Sequence, residues 1–122
     1  MPLVVAETPS GEVVAWASAP PYRPSRDAYA DIAEFSIYVG RAFRGLGAGR
    51  ATLTALLEEA ERGGIRKLVS RIFPENEASL ALCRSLGFRE VGVYQAHGQL
   101  DGVWRDVVIV ERLLRGAPRP ER

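Results

Sequence analysis

The pattern of apolar and polar positions in the first third of the chain predicts three strands. Two β-rich runs, residues 2–6 and 12–18, lie on either side of the turn-forming residues 8–11 and predict a hairpin. From residue 31 to 39, apolar and polar side chains alternate with the period of two that is typical of a strand with one polar face. The apolar set is Ala33, Phe35, Ile37 and Val39, and the polar set is Glu34, Ser36 and Tyr38.

Helical periodicity follows in two segments. The first comes after a glycine-rich loop and ends at Gly63-Gly64, and the second comes after Pro74-Glu75-Asn76 and ends at Gly87. The positions predicted to face inward on the first helix are Leu53, Leu56, Leu57 and Ala60, and those on the second are Ala78, Ala81, Leu82 and Leu86.

Three further strands complete the prediction. They cover residues 67–73, 88–95 and 104–112, and the last two enclose a turn at Asp101-Gly102. The order β-β-β-α-β-α-β-β predicts an α/β fold of the α+β kind, with a mixed, mostly antiparallel sheet and crossover helices. We expect one domain over residues 1–115 and a flexible tail over residues 116–122.

Composition narrows the class of protein. With 122 residues, 47% of them hydrophobic and 25% charged, the chain can bury one core of ordinary size. No apolar run approaches the ~20 residues of a membrane span, and the net charge of +1 argues against a nucleic-acid surface. The single cysteine, Cys83, excludes an internal disulfide and a thiolate-rich metal site, which suits a cytoplasmic protein without a metal.

A glycine-rich loop from Arg44 to Gly49 lies between the third strand and the first helix. Glycines let backbone N–H groups approach an anion, the helix dipole adds positive potential, and Arg41 and Arg50 flank the loop. This arrangement predicts a pyrophosphate site. A triphosphate loop would need Gly-Lys-Ser/Thr where Arg50 stands, and a dinucleotide fingerprint would follow the first strand of a parallel unit rather than a hairpin.

Two segments carry a resemblance to a known family. The stretch from Tyr38 to Gly49 resembles the acetyl-CoA-binding motif of GNAT N-acetyltransferases, Arg/Gln-x-x-Gly-x-Gly/Ala, and the stretch from Asn76 to Phe88 resembles their second signature. Within this superfamily, residues 34–39, 75–79 and 102–108 are similar to phosphinothricin and methionine sulfone acetyltransferases.

The resemblance implies acetyl-CoA as cofactor and the amino group of a small amino-acid-like molecule as acceptor. It implies that the backbone of the glycine loop holds the pyrophosphate and that the pantetheine arm pairs with the third strand like an extra strand. Asn76 is implied to lie near the pantetheine, although Asn before a helix is also a good N-cap. The implied cofactor-binding residues are Tyr38, Val39, Gly40, Arg41, Arg44, Gly45, Leu46, Gly47, Ala48, Gly49, Arg50, Asn76 and Ser79.

The resemblance also implies catalytic roles. Glu34 matches the general base that deprotonates the acceptor ammonium, and a backbone N–H near Tyr38 or Val39 stabilises the oxyanion. The family's usual tyrosine, or the histidine of this branch, is replaced by Cys83. Its thiol either donates the proton to the leaving thiolate or simply packs in the core; Tyr38, Tyr94 or water are the other candidate donors.

For the acceptor, Trp104 and Asp106 match an aromatic and acidic pair near the substrate end of such enzymes, while Leu100 stands where a lysine is often found. Trp104 is alternatively a core residue. Tyr22 and Arg23 are further candidates, as contacts for an acceptor carboxylate. A lone His97 is either a local base or incidental.

The family places a strand and two helices before the hairpin with which this chain starts, so the resemblance implies a GNAT-like fold shortened at its N-terminus. We expect apolar surface on the early strands and a homodimer, or another partner, that covers it. Two alternatives to an enzyme stay open. One is a degenerate acetyl-CoA-binding module that senses cofactor or assembles with a partner, and the other is a nucleotide-binding domain.

Overall fold

The computed structural model describes residues 1–22 and 30–114. Arg23 and the predicted tail therefore lie outside the described residues. The chain forms two compact units, which we call unit 1 and unit 2. Unit 1 contains Met1–Leu68 together with Leu113 and Leu114, and unit 2 contains Val69–Arg112.

The hairpin prediction is confirmed in unit 1. Strand β1 (Leu3–Glu7) pairs antiparallel with β2 (Val13–Ser18). The turn between them is closed by the Gly11 N–H, which donates to the Thr8 carbonyl at 2.9 Å. Gly11 has φ +90°, a left-handed conformation that glycine adopts without a steric penalty.

The prediction of one continuous strand over residues 31–39 is wrong, because the chain forms two short strands. They are β3 (Ile32–Glu34) and β4 (Ser36–Val39), and the buried Phe35 lies between them. Both strands follow one antiparallel register: Ser36 lies opposite Ser18 of β2, and Ala33 forms a bridge with Pro21, shortly after β2. The two strands differ on their other side. The Asp31 carbonyl, just before β3, accepts from the Arg66 N–H at 2.8 Å, whereas β4 lies at the edge of its sheet. The predicted alternation of burial survives the break.

Helix α1 (Ala48–Arg62) packs on one face of the β1-β2-β4 sheet. A 3₁₀ turn, Arg41–Phe43, precedes it. The predicted inward positions are confirmed, and the helix ends where the glycine pair predicts, with the Ile65 N–H donating to the Ala60 carbonyl at 3.0 Å. The buried positions are Thr52, Leu53, Leu56, Leu57 and Ala60.

The opposite face of this sheet is apolar and exposed. Its rings stack, with the centroids of Trp16 and Tyr38 6.3 Å apart. We call this surface the open face, and its exposed apolar side chains are Leu3, Val5, Trp16 and Tyr38. Its exposure agrees with the expectation of apolar surface on the early strands.

Unit 2 is built on β5 (Lys67–Ile72, which begins at the end of unit 1), β7 (Val103–Leu113) and β6 (Arg89–Leu100), which neighbour one another in that order. The turn between β6 and β7 falls at the predicted residues, with φ +51° at Asp101 and +77° at Gly102. Two consecutive left-handed residues define the hairpin turn that matches the twist of the strands.

Helix α2 (Glu77–Ser85) exists as predicted, but its inward face is different. Ala78 and Ala81 are exposed, and the buried residue is Cys83. The predictions for Leu82 and Leu86 are confirmed, since both are half-buried, and those for Ala78 and Ala81 are wrong. Ser79 and Leu80 are half-buried instead. The end of the helix accounts for this, because Phe88 is buried and its N–H donates to the Cys83 carbonyl at 3.0 Å, with Gly87 at φ +88° between them.

Strand β6 extends further than the predicted residues 88–95 and contains an irregularity. Its register against β7 shifts between Tyr94 and Gly98, and Ala96 has φ +46°. Beyond the shift, Gly98 lies opposite Arg105. A Cβ at Gly98 would lie 3.0 Å from the Phe73 ring, so a larger residue here would require that ring to shift.

Candidate active site

The glycine loop has the geometry that an anion site requires. Gly45 and Gly47 have φ +79° and +86°, and Gly47 is the N-cap of α1. The first N–H groups of a helix have no acceptor within the helix, and here no side chain caps them. An anion at this end would therefore accept hydrogen bonds and gain from the helix dipole.

Arginines surround the loop at the end of β4. The Arg44 Nε donates to the Val39 carbonyl at 3.2 Å, which ties the loop to the strand that precedes it. Arg41, Arg44 and Arg50 are all exposed. The loop predicted for the pyrophosphate, from Arg44 to Gly49, thus lies among arginines that give it a positive local field.

Strand β4 lies at the edge of its three-stranded sheet, and its pairing with β2 uses one side of its backbone. An edge strand presents N–H and C=O groups to a further extended chain. This is the requirement of the expected strand-like pairing with a pantetheine arm, whose two amides alternate donors and acceptors. Tyr38 and Val39, at the end of β4, therefore lie on a sheet edge that leads directly into the glycine loop.

Glu34, the candidate base, is the last residue of β3 and is half-buried. The break at Phe35 separates it from β4, so Glu34 and Tyr38 belong to different strands of unit 1. Tyr22 is half-buried and its N–H donates to the Ile32 carbonyl at 3.0 Å, beside the same strand.

Asn76 of unit 2 is the N-cap of α2. Its Oδ1 accepts from the Ser79 N–H at 3.2 Å, so the helix-cap alternative is confirmed. The cap uses the side-chain oxygen and leaves the amide –NH₂ as a donor. Capping and a contact with a cofactor amide are therefore compatible roles for the one side chain.

Cys83 has properties that argue for packing. The residue is 2% exposed, and burial raises the pKa of its thiol from 9.0 to about 11. A thiol with a raised pKa holds its proton more tightly than an ordinary thiol does, so its transfer to a leaving thiolate is uphill. The structure supports the packing alternative over the role of a proton donor.

Trp104 and Asp106 are the candidate acceptor residues of unit 2. Trp104 is 61% exposed, so the alternative that it is a core residue is wrong. Asp106 is exposed, but its Oδ1 accepts from the Ala96 N–H at 2.9 Å. Tyr94 and His97 lie edge to face with centroids 4.7 Å apart. Sequence reasoning missed the irregularity of β6 between Tyr94 and Gly98, although a glycine inside a strand pattern, here Gly98, is a signal of a bulge.

A cavity of about 510 Å³ lies in unit 1 at the other end of α1, and Glu59, Arg62 and Gly63 are among the residues that line it. The glycine loop is at the beginning of the same 15-residue helix. The cavity is therefore distinct from the candidate cofactor site.

In the part of the chain that the structure describes, no helix is long and apolar enough to span a membrane.

Comparison with known proteins agrees with this geometry. Residues 1–88 match the acetyltransferase (GNAT) family. YwnH of Bacillus subtilis is 41% identical over 113 residues, which are 93% of this chain and 69% of that protein. The L-methionine sulfoximine/L-methionine sulfone acetyltransferase of Pseudomonas aeruginosa is 37% identical over 120 residues, 96% of this chain and 69% of the relative.

A solved structure gives the same result. The phosphinothricin acetyltransferase (Pat) of Sinorhizobium meliloti, in complex with acetyl-CoA, has a TM-score of 0.88 and 34% identity, and the match covers 98% of this chain and 65% of that one. The chain therefore belongs to the acetyltransferase (GNAT) family. The resemblance seen in its motifs and the predicted fold class are confirmed, as are the assignment to the N-acetyltransferases and to acetyl-CoA as their donor.

The raised pKa of Cys83 predicts a pH dependence of stability. In the unfolded chain the thiol ionises near its ordinary pKa of 9.0, whereas in the folded chain it ionises near 11. The folded state thus keeps a proton that the unfolded state loses. The stability this confers is complete below pH 9 and is lost as the pH rises through 11.

Urea unfolding of the wild type and Cys83→Ala between pH 8 and pH 11 measures this effect. We expect the free energy of unfolding of the wild type to fall more steeply than that of the variant, because alanine has no proton to lose. The difference between the two chains cancels the titration of other groups. The same slope in both chains would mean that the thiol titrates in the folded state as it does in water.

Proposed function

We propose that this chain transfers an acetyl group from acetyl-CoA to the amino group of a small amino-acid-like acceptor of the phosphinothricin or methionine sulfone/sulfoximine type. The observation that carries the proposal is the edge strand β4, which runs into an uncapped, arginine-flanked helix N-terminus. The acceptor class is supported by the relatives that are named for these substrates.

The proposal names cofactor-binding residues in each unit by itself. In unit 1 the backbone from Arg44 to Gly49 holds the pyrophosphate, and residues 38–41, at the end of β4 and the start of the following turn, pair with the pantetheine. In unit 2 the candidates are the Asn76 amide and Ser79 in the first turn of α2. Acetyl-CoA, when bound, supplies the acetyl thioester.

Glu34 acts as the general base in this proposal. The acceptor amine is an ammonium at neutral pH and must lose a proton before its lone pair can attack a carbonyl. A half-buried carboxylate just before the cofactor-binding strand takes this proton directly or through a water molecule. The Gly40 N–H donates to the Val14 carbonyl of β2, and bonded residues alternate along an antiparallel strand, so the N–H of Val39 points to the open edge while that of Tyr38 faces β2. The Val39 N–H therefore donates to the negative charge that develops on the acetyl oxygen.

The acceptor contacts assigned here are Trp104 in unit 2 and Tyr22 in unit 1, with Arg23 as a candidate that lies outside the described residues. The exposed indole of Trp104 offers an apolar surface to an amino-acid side chain. Cys83 packs, and the thiolate of CoA takes its proton from water or a tyrosine. The free buried thiol is compatible with the cytoplasmic location that we also propose.

The experiment that tests the function is thiol release from acetyl-CoA with a panel of amino acids that includes phosphinothricin, methionine sulfone and methionine sulfoximine. Acetyl-CoA binding is measured by calorimetry on the same sample. Turnover with one of these acceptors would establish the activity and its acceptor. Binding without turnover would favour the degenerate acetyl-CoA-binding module, and affinity for ATP or NAD instead of CoA would indicate the nucleotide-binding alternative.

Replacing Glu34 tests the base. Glu34→Gln keeps the shape of the side chain but removes its basicity, so kcat should fall by roughly 10²-fold or more while the Kd for acetyl-CoA changes little. Glu12→Gln, at an exposed glutamate of the same unit, is the matched control and should leave both parameters unchanged. Unaltered kcat in Glu34→Gln would remove the base assignment.

The glycine loop is tested by a pair of glycines with nearly equal backbone angles. Gly47 has φ +86° and Gly11 has φ +90°, and a Cβ at either position would meet nothing within 4 Å. Gly47→Val and Gly11→Val should therefore lose similar stability from backbone strain. Only Gly47→Val should also weaken acetyl-CoA binding, by about tenfold or more, because the strain moves the N–H groups that hold the pyrophosphate. Equal affinities in the two variants would contradict this cofactor site.

A homodimer is the partner that we propose for the open face, since a second copy would cover its exposed side chains. Sedimentation should show a dimer, and Val5→Glu should shift it towards monomer. Val93→Glu, at a valine of β6 with similar exposure (54% against 48%), is the control and should leave the mass unchanged. A wild-type monomer with a protected β1-β2 hairpin would overturn this proposal.

A further inference from the structure

The irregularity in β6 is a defined β-bulge, which we call the 94–98 bulge. Tyr94 lies opposite Val107 and Gly98 opposite Arg105, so three residues of β6 stand against a single residue of β7, Asp106. Ala96, the middle of the three, has φ +46°. A left-handed conformation is uncommon for a residue with a Cβ and costs on the order of 1 kcal/mol, so something must hold it.

Asp106 stabilises the left-handed conformation of Ala96. Its Oδ1 accepts from the Ala96 N–H at 2.9 Å, and the residue that accepts is the one residue of β7 left opposite the bulge. A carboxylate oxygen is a stronger acceptor than a carbonyl. The N–H that the bulge removes from the ladder is therefore satisfied by a side chain instead of a backbone carbonyl.

The bulge changes which side chains meet. In a regular strand, Tyr94 and His97 would point to opposite faces of the sheet, because they are three residues apart. In the bulge their rings lie edge to face, with centroids 4.7 Å apart, and both residues are exposed. Bulges re-aim side chains in this way and occur next to active sites.

We infer that Asp106 is a positioning residue which acts on the acceptor through the 94–98 bulge, and that Tyr94 and His97 are the side chains which then contact an amino-acid acceptor. The inference rests on the proposed function and deepens it, because it assigns acceptor specificity to Tyr94 and His97, which lie outside the family motifs. It differs from the role that the resemblance implies for Asp106, in which the carboxylate itself meets the acceptor.

Two substitutions of Asp106 separate positioning from direct contact. Asp106→Ala removes the acceptor for the Ala96 N–H, so the KM for the acceptor should rise by about tenfold or more. Asp106→Asn loses the charge but keeps an oxygen in the same place, so it should rescue most of that loss. A carboxylate that pairs with an ammonium would be impaired as much by asparagine as by alanine.

A second-site change makes the test sharper. Glycine adopts a positive φ at no steric cost, so Ala96→Gly should restore the bulge and lower the acceptor KM in the Asp106→Ala background. Asp101→Gly is the matched control, because Asp101 also has a positive φ, +51°, but belongs to the hairpin turn. It should relieve similar backbone strain without lowering the KM of Asp106→Ala.

Amide hydrogen exchange gives a readout that does not depend on turnover. The Ala96 N–H should exchange slowly in the wild type and in Asp106→Asn, and at least tenfold faster in Asp106→Ala. Rescue of the acceptor KM by Ala96→Gly, together with this exchange pattern, would establish the inference. An unprotected Ala96 N–H in the wild type, or no rescue by either asparagine or Ala96→Gly, would overturn it. If no chain turns over any acceptor, the proposed function fails, while exchange still decides whether Asp106 holds the bulge.

Discussion

One antiparallel register holds the strands that lead into the candidate cofactor site. It runs from Val39 opposite Ala15 to Ala33 opposite Pro21, so that β4 and β3 lie against β2 and the residues that follow it. The two strands differ on their other side, because the Asp31 carbonyl, just before β3, accepts from the Arg66 N–H at 2.8 Å, whereas β4 lies at the edge of its sheet. Since β4 ends where the 3₁₀ turn and the glycine loop begin, its open edge lies directly before the proposed pyrophosphate site.

The loop could be predicted from the sequence because its physical requirement is local. At a positive φ a residue with a Cβ has a steric cost that glycine does not have. Gly45 and Gly47 have φ +79° and +86°, so glycine is the residue expected at both positions. The same logic gave the ends of both helices and the turn at Asp101-Gly102 correctly. Features that depend on one or two residues and their neighbours in sequence were therefore predicted within a few positions.

Features that depend on distant partners were not predicted. The interruption at Phe35 lies between a segment that also bonds to Arg66 and a segment at the edge of its sheet, and alternation of apolar residues carries no information about this difference. Two of the four predicted inward positions of α2, Ala78 and Ala81, are exposed, because nine residues give a weak periodic signal and the buried Phe88 fixes the rotation from beyond the helix. The 94–98 bulge escaped as well, since its left-handed residue is an alanine held by a side chain ten residues further along the chain.

Three residues that match family motifs have a structural role in this chain. The Asn76 oxygen caps α2, the Cys83 thiol is buried with a raised pKa, and Asp106 satisfies the N–H of Ala96. The three residues differ in which polar groups remain available to a ligand. Asn76 keeps its amide donors and so can also meet a cofactor. Cys83 keeps no accessible proton that it would give up readily. Asp106 keeps one carboxylate oxygen, but any movement towards an acceptor would release the backbone of the bulge, which couples recognition to the conformation of β6. The geometry of unit 2 therefore favours chemistry that is organised around an ordered bulge over chemistry performed by an isolated carboxylate.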